Sequence, residues 1–165
     1  MQKNRNYWYL LSGLIVFMLS PVIGCVQPGF TTYTNEAVGY SINYPQNWSV
    51  EVSADGTTCL ITSPTRIASV MIYVADSMAA QTAAQYWMMS LGTHWVQITQ
   101  IENKPLEGFW NWYLSYEYLS DNGLYHGEAY FKRTGEHLYR VDTAADATGY
   151  KDSPFPYIIS SFKLK

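Results

Sequence analysis

The stretch GYSINYPQNWSV, residues 39–50, breaks an alternating run at a proline and resumes it at a tryptophan three residues later. Tyr40, Ile42 and Tyr44 alternate with Ser41 and Asn43. A period of two places such a set on one face of a β-strand. Pro45 has no amide proton to give to a ladder, so the strand ends there. Gln46 and Asn47 then supply a turn, and Trp48, Val50 and Val52 share one face of the next strand. The break therefore marks the start of a fold, with the Trp48 ring expected in the core.

Downstream, Asp55-Gly56 is a strong hairpin signal, and strands are expected over 58–62 and 68–74. The pattern then changes period. Ala80, Ala83, Ala84, Trp87, Met88 and Leu91 recur on a single helical face. Asp76 or Ser77 is the expected cap and Gly92 the expected stop. A strand near 96–102 follows, then a meander of strands over 110–121, 124–134 and 137–143. Its turns are read at Asn122-Gly123 and Gly135-Glu136. A short helix is expected over 156–162. Strands, one helix, more strands and a terminal helix describe an α+β domain with a mainly antiparallel sheet.

Upstream, the features concern location. Lys3 and Arg5 precede the apolar run WYLLSGLIVFML, residues 8–19, with Pro21 soon after. That run is shorter than the ~20 apolar residues a spanning helix needs and has the layout of a secretory signal. The tetrapeptide VIGC, residues 22–25, resembles the lipobox of bacterial lipoproteins. That resemblance implies cleavage after Gly24 and lipidation of Cys25. The alternative is an ordinary secretory signal with a chance cysteine. The expected organisation is a signal peptide over 1–24, a lipidated cysteine and flexible tether over 25–37, and one domain over 38–165. The expected location is the extracytoplasmic face of a bacterial membrane, held by the lipid.

Composition narrows the partners. Loss of Lys3 and Arg5 with the leader takes the formal charge from −3 to −5. A mildly acidic chain without a basic cluster is not built for nucleic acid or for anionic lipid. If Cys25 carries lipid, Cys59, the second of two cysteines, has no partner within the chain. Alternation with Ile61 makes it a buried, inert thiol. Fifteen tyrosines and six tryptophans favour a sheet with much amphipathic surface.

Together, YSINYPQNWSV at residues 40–50 and PYIISSFKLK at residues 156–165 resemble the opening and closing motifs of the PsbP-like superfamily. The long amphipathic helix after four strands and the meander beyond it also fit. The resemblance implies an α/β/α sandwich around an antiparallel sheet. It also implies a non-catalytic binding or accessory role, with no cofactor and no catalytic residue to carry over. The implied partner is a protein or a small ligand.

Two constellations bear on chemistry. A two-residue Asn122-Gly123 loop would set Asp121 opposite Leu124 and Glu117 opposite Glu128, with His126 diagonally close. One histidine and two carboxylates suit several divalent metals or acid–base work in a hydrolase. The plainer alternative is a solvated sheet face. The second constellation is the aromatic run FWNWYLSYEY, residues 109–118. Alternation places Trp110 and Trp112 on one face and Phe109 on the other. Either both faces are covered by helices, or Phe109, Trp110 and Trp112 form an exposed binding surface for a glycan or partner protein. His94 and His137 form no metal motif, and no phosphate loop or Gly-Xaa-Ser-Xaa-Gly is present. A binding or accessory module is the favoured reading; a hydrolase or metal-binding protein and a cell-envelope ligand sensor are the alternatives. The anchor has a direct test. Metabolic labelling with a palmitate analogue is expected to mark the wild-type chain and to spare Cys25→Ser; label persisting in the variant would overturn the lipobox reading.

Overall fold

A computed structural model describes residues 29–94 and 97–165; the leader, the VIGC motif and Cys25 lie outside them. In chain order the elements are β1 (Phe30–Asn35), β2 (Tyr40–Pro45), β3 (Ser49–Val52), β4 (Thr58–Thr62), β5 (Ala68–Asp76), α1 (Ala80–His94), β6 (Ile98–Pro105), β7 (Trp112–Ser120), β8 (Gly123–Arg133), β9 (His137–Asp146), α2 (Phe155–Ser161) and β10 (Lys163–Leu164). A single 3₁₀ turn, Tyr150–Asp152, precedes α2.

The strands form two antiparallel sheets, one of three strands in the order β1-β2-β10 and one of seven in the order β3-β4-β5-β9-β8-β7-β6. Alternation along the central strands sends apolar side chains to both faces of the larger sheet. On one face Leu114, Tyr116, Ala129, Phe131 and Leu138 pack under Ala80, Ala83, Ala84 and Leu91 of α1. On the other, Ile61, Val70, Ile72 and Val141 pack under Tyr40 and Ile42 of the small sheet and Phe155, Ile158 and Ile159 of α2. The two helices thus cover opposite faces, as an α/β/α sandwich requires. Each fully buried Ile or Leu contributes roughly 1.5–3 kcal/mol, so neither face can be left to water.

The expected tether over 25–37 is, over Phe30–Asn35, a strand. It pairs along its whole length with β2, from Phe30 opposite Pro45 to Asn35 opposite Tyr40. As an edge strand half-exposed on both sides, FTTYTN has no clean alternation to detect; its threonines are its β-forming signal. Asn35 is buried, donating its side-chain amide to Gly56 O at 2.9 Å and accepting from Ala37 N at 3.1 Å. β10 is likewise too short to be read from periodicity. Trp48 precedes β3, half-buried, with its ring edge-on to Phe155 at 6.2 Å.

The helix also differs at its ends. Asp76 closes β5. Ser77 Oγ donates to Thr134 O at 2.9 Å and accepts from Arg133 Nε at 3.1 Å. Asp76 is paired with His137 of β9 and Ser77 is held by Arg133 and Thr134, while α1 begins only at Ala80. Gly92 lies inside the helix, which runs on to His94, whose Nδ1 lies 2.8 Å from Ser90 O. The Thr93 hydroxyl donates to the same carbonyl at 2.7 Å.

A polar pair lies under α1. The Tyr116 hydroxyl donates to Asp142 Oδ1 at 2.7 Å, and both residues are buried. Tyr116 reaches Asp142 by lying across Gly127, its cross-strand partner; a Cβ there would sit 2.5 Å from Tyr116 Cζ. Burial pushes the Asp142 carboxyl up to about 6, against the pull of the nearby Arg140 charge and the Tyr116 hydroxyl. A free carboxyl titrates near about 3.9. Between about pH 4 and 6 the folded chain therefore holds a proton that the unfolded chain has released. Stability from this group falls as pH rises through that window and is level above it. Thermal melts of wild type and Asp142→Asn across that range should show the wild type losing Tm relative to the variant as pH rises. A constant difference would remove burial as the cause.

Candidate functional site

The β7–β8 hairpin decides which side chains meet. Ser120 stands opposite Gly123, Leu119 opposite Leu124, Glu117 opposite His126 and Ser115 opposite Glu128. The expected pairing, Asp121 with Leu124 and Glu117 with Glu128, is therefore shifted by two residues. The physical reason is the turn. A type I′ turn centred on Asn122-Gly123 needs positive φ at both residues. Only Gly123 has it, at 119°. The chain turns instead on Asp121-Asn122, with Asn122 N donating to Ser120 Oγ at 3.2 Å. A shift of two preserves the face, so Glu117, His126 and Glu128 still come together.

Their arrangement is a line rather than a cluster. His126 lies between the carboxylates, with Nδ1 3.8 Å from Glu117 Oε1 and Nε2 3.7 Å from Glu128 Oε1. Both distances exceed a hydrogen bond, so the coupling is through charge and depends on protonation of the ring. Each ring nitrogen faces a different carboxylate, and the three do not converge on one point. Among the described residues no three His, Cys, Asp or Glu side chains are arranged to hold a metal ion.

Aromatic hydroxyls complete the site. Tyr130 donates to Glu128 Oε2 at 2.8 Å. The Tyr150 hydroxyl lies 2.7 Å from Thr143 Oγ1, and its ring meets His126 edge-on at 4.4 Å. Burial raises the pKa of both phenols, the Glu128 charge adding to the effect. Both phenols therefore stay protonated at neutral pH. Above this polar floor a cleft of about 790 Å³ opens between the sheet and α2, walled by Trp110, Phe155 and Ile159 with Lys151 and Ser160 at the rim. That is the size of a small-ligand site, and its mix of apolar walls and few polar groups is typical of one.

Ser115 is a neighbour that sequence reasoning missed. Its Oγ lies 3.4 Å from His126 Nε2, so Ser115, His126 and Glu117 follow the order of a nucleophile, base and orienting acid. The correct register alone would have placed it there. Ser115 is only 3% exposed, however, and Nε2 is shared with Glu128.

The candidate aromatic surface of Phe109, Trp110 and Trp112 is divided between the two faces of the sheet. Trp112 begins β7 and packs on the α1 side, donating Nε1 to Asn103 Oδ1. Trp110 lies on the α2 side, against Tyr130 at 5.6 Å and Phe162 at 5.2 Å. Alternation fails between them because Asn111 bends the chain before β7 starts, its N bonded to Phe131 O and its Oδ1 accepting from Arg133 N. Phe109 is exposed, with Lys132 Nζ 4.9 Å from its ring centre. Cys59 is buried, as expected, which pushes its thiol up to about 11.

Solved structures share this fold. Cyanobacterial PsbP (CyanoP) from Synechocystis sp. PCC 6803 superposes with a TM-score of 0.66 over 89% of this chain and 99% of its own, at 16% identity. The chain has the PsbP-like fold. The same fold relates it to the Saccharomyces cerevisiae Ran-binding protein Mog1p, with a TM-score of 0.58 over 82% of this chain and 95% of that one at 7% identity. LpqN of Mycobacterium tuberculosis, described as involved in cell envelope biogenesis, superposes at 0.54 over 82% and 90% with 13% identity. No family model matches the sequence, and no curated protein does.

Within this PsbP-like fold Trp110 joins the cleft wall to the core. Trp110→Ala should lower stability by about 2–4 kcal/mol in denaturant unfolding, whereas Lys151→Ala at the rim should stay within about 0.5 kcal/mol of wild type. Equal effects would remove Trp110 from the core.

Proposed function

We propose that the protein is an extracytoplasmic, lipid-anchored binding module without catalytic activity, and that the cleft over His126 is its ligand seat. One observation carries this reading: a cleft of about 790 Å³ with aromatic walls and a floor of Glu117, His126 and Glu128. Two carboxylates flanking a ring, under Trp110 and Tyr150, form a receptor for a positively charged group. Charge pairing and attraction to aromatic faces both favour an ammonium or guanidinium. Such a group is carried by a small cationic ligand or by a lysine or arginine of a partner protein. The buried Ser115 hydroxyl speaks against an acyl-transfer enzyme at this site. Binding roles on the same fold, as in the Ran-binding protein Mog1p, and an envelope role, as for LpqN, are consistent with the reading. Anchoring through Cys25 would keep the cleft near envelope partners. The alternative of a hydrolase draws its support from His126 lying between two carboxylates.

Affinity capture from bacterial envelope membranes tests the proposal. The wild-type chain is expected to retain a partner or cationic ligand that Glu117→Gln/Glu128→Gln loses, with both chains equally folded. Retention unchanged by the double substitution would sink the cleft as the seat. Hydrolytic turnover that the same substitutions abolish would move the assignment to the hydrolase.

A further inference from the structure

The opposite face of the sheet carries a second cleft, of about 390 Å³, between α1 and strands β5, β8 and β9. Its walls include Tyr73, Met78, Trp87, Phe131 and Leu138, and its one cation is Arg140. That guanidinium lies under α1 with its carbon centre 3.6 Å from the Trp87 ring centroid and 5.1 Å from that of Tyr73. Its Nε is buried without a hydrogen-bond partner. The ion pairs within 4 Å among the described residues involve other groups. Asp142, two residues on along β9, gives its Oδ1 to the Tyr116 hydroxyl instead.

A buried guanidinium donor without an acceptor is costly. Rings stack on its faces but cannot accept its in-plane N–H bonds. Asp142 lends its charge nearby but no described residue gives Nε an acceptor, which an anion in the cleft would supply. We infer that this cleft binds an organic monocarboxylate with a flat apolar body, its carboxylate on Arg140 and its body against Trp87, Phe131 and Leu138. The fork of N–H groups matches a carboxylate in two-point contact. Apolar walls favour a ligand with an apolar body over a small hydrated anion. This site is independent of the cleft over His126, since the sheet separates them.

The test uses the full chain with benzoate as the probe and inorganic phosphate as the comparison, followed by calorimetry and by the indole N–H signal of Trp87, assigned with Trp87→Phe. Benzoate is expected to bind saturably and shift the Trp87 signal. Arg140→Met should weaken binding by about tenfold or more, the worth of a hydrogen-bonded charge pair. A buried cation replaced by an apolar residue of similar length is commonly tolerated. Should Arg140→Met not fold, Arg140→Lys carries the test, keeping the charge but losing the fork, with weaker binding expected. Absence of saturable benzoate binding, or binding unchanged in a folded Arg140 variant, overturns the inference. Phosphate binding more tightly than benzoate overturns the apolar body of the ligand.

Discussion

A sheet that is apolar on both faces cannot stand in water, and the rest of this molecule answers that constraint. Central strands such as β9, HLYRVDTAAD, send Tyr139 and Val141 to one side and Leu138 and Asp142 to the other, all four buried. Covering one side takes α1. Covering the other takes α2 together with the three-stranded sheet, which explains why the chain invests its first and last strands there. β1 and β10 flank β2 from opposite ends of the described chain, so the cover closes only when both have docked.

Covers of finite length leave margins, and both clefts lie at such margins. α2 is only seven residues long, and between it and β8 the sheet face carries Glu117, His126 and Glu128 instead of apolar side chains. On the α1 side the margin falls over Arg140. The two clefts therefore differ in character. One presents a pair of carboxylates to a half-open space; the other holds the Arg140 cation against aromatic rings. A single sheet separates sites suited to groups of opposite charge.

Rigid hydroxyls and close packing hold these groups in place. Tyr130 fixes Glu128, and Tyr150 fixes the ring edge of His126. Tyr116 fixes Asp142 only because Gly127 leaves room for its ring. Of these contacts, the sequence shows residue types and little else. A glycine inside a strand announces close approach in general, but not which ring approaches. The same holds for Glu117, His126 and Glu128: alternation put all three on one face, and only the folded register set each ring nitrogen of His126 against a different carboxylate.

Local chemistry alone was enough for much of the fold. Proline at 45 ended a strand, helical spacing from Ala80 to Leu91 chose the buried face of α1, and the meander followed from alternation and turn residues. These signals are local because backbone sterics and the side-chain period act within a few residues. Tertiary structure decided the rest. The β7–β8 register depended on one residue's φ, the strands β1 and β10 on their partner β2, and the split of Trp110 from Trp112 on a bend at Asn111. The cleft beside Arg140 forms only after distant strands and a helix have packed, because the surroundings of a buried donor are a property of the whole assembly and not of any segment of chain.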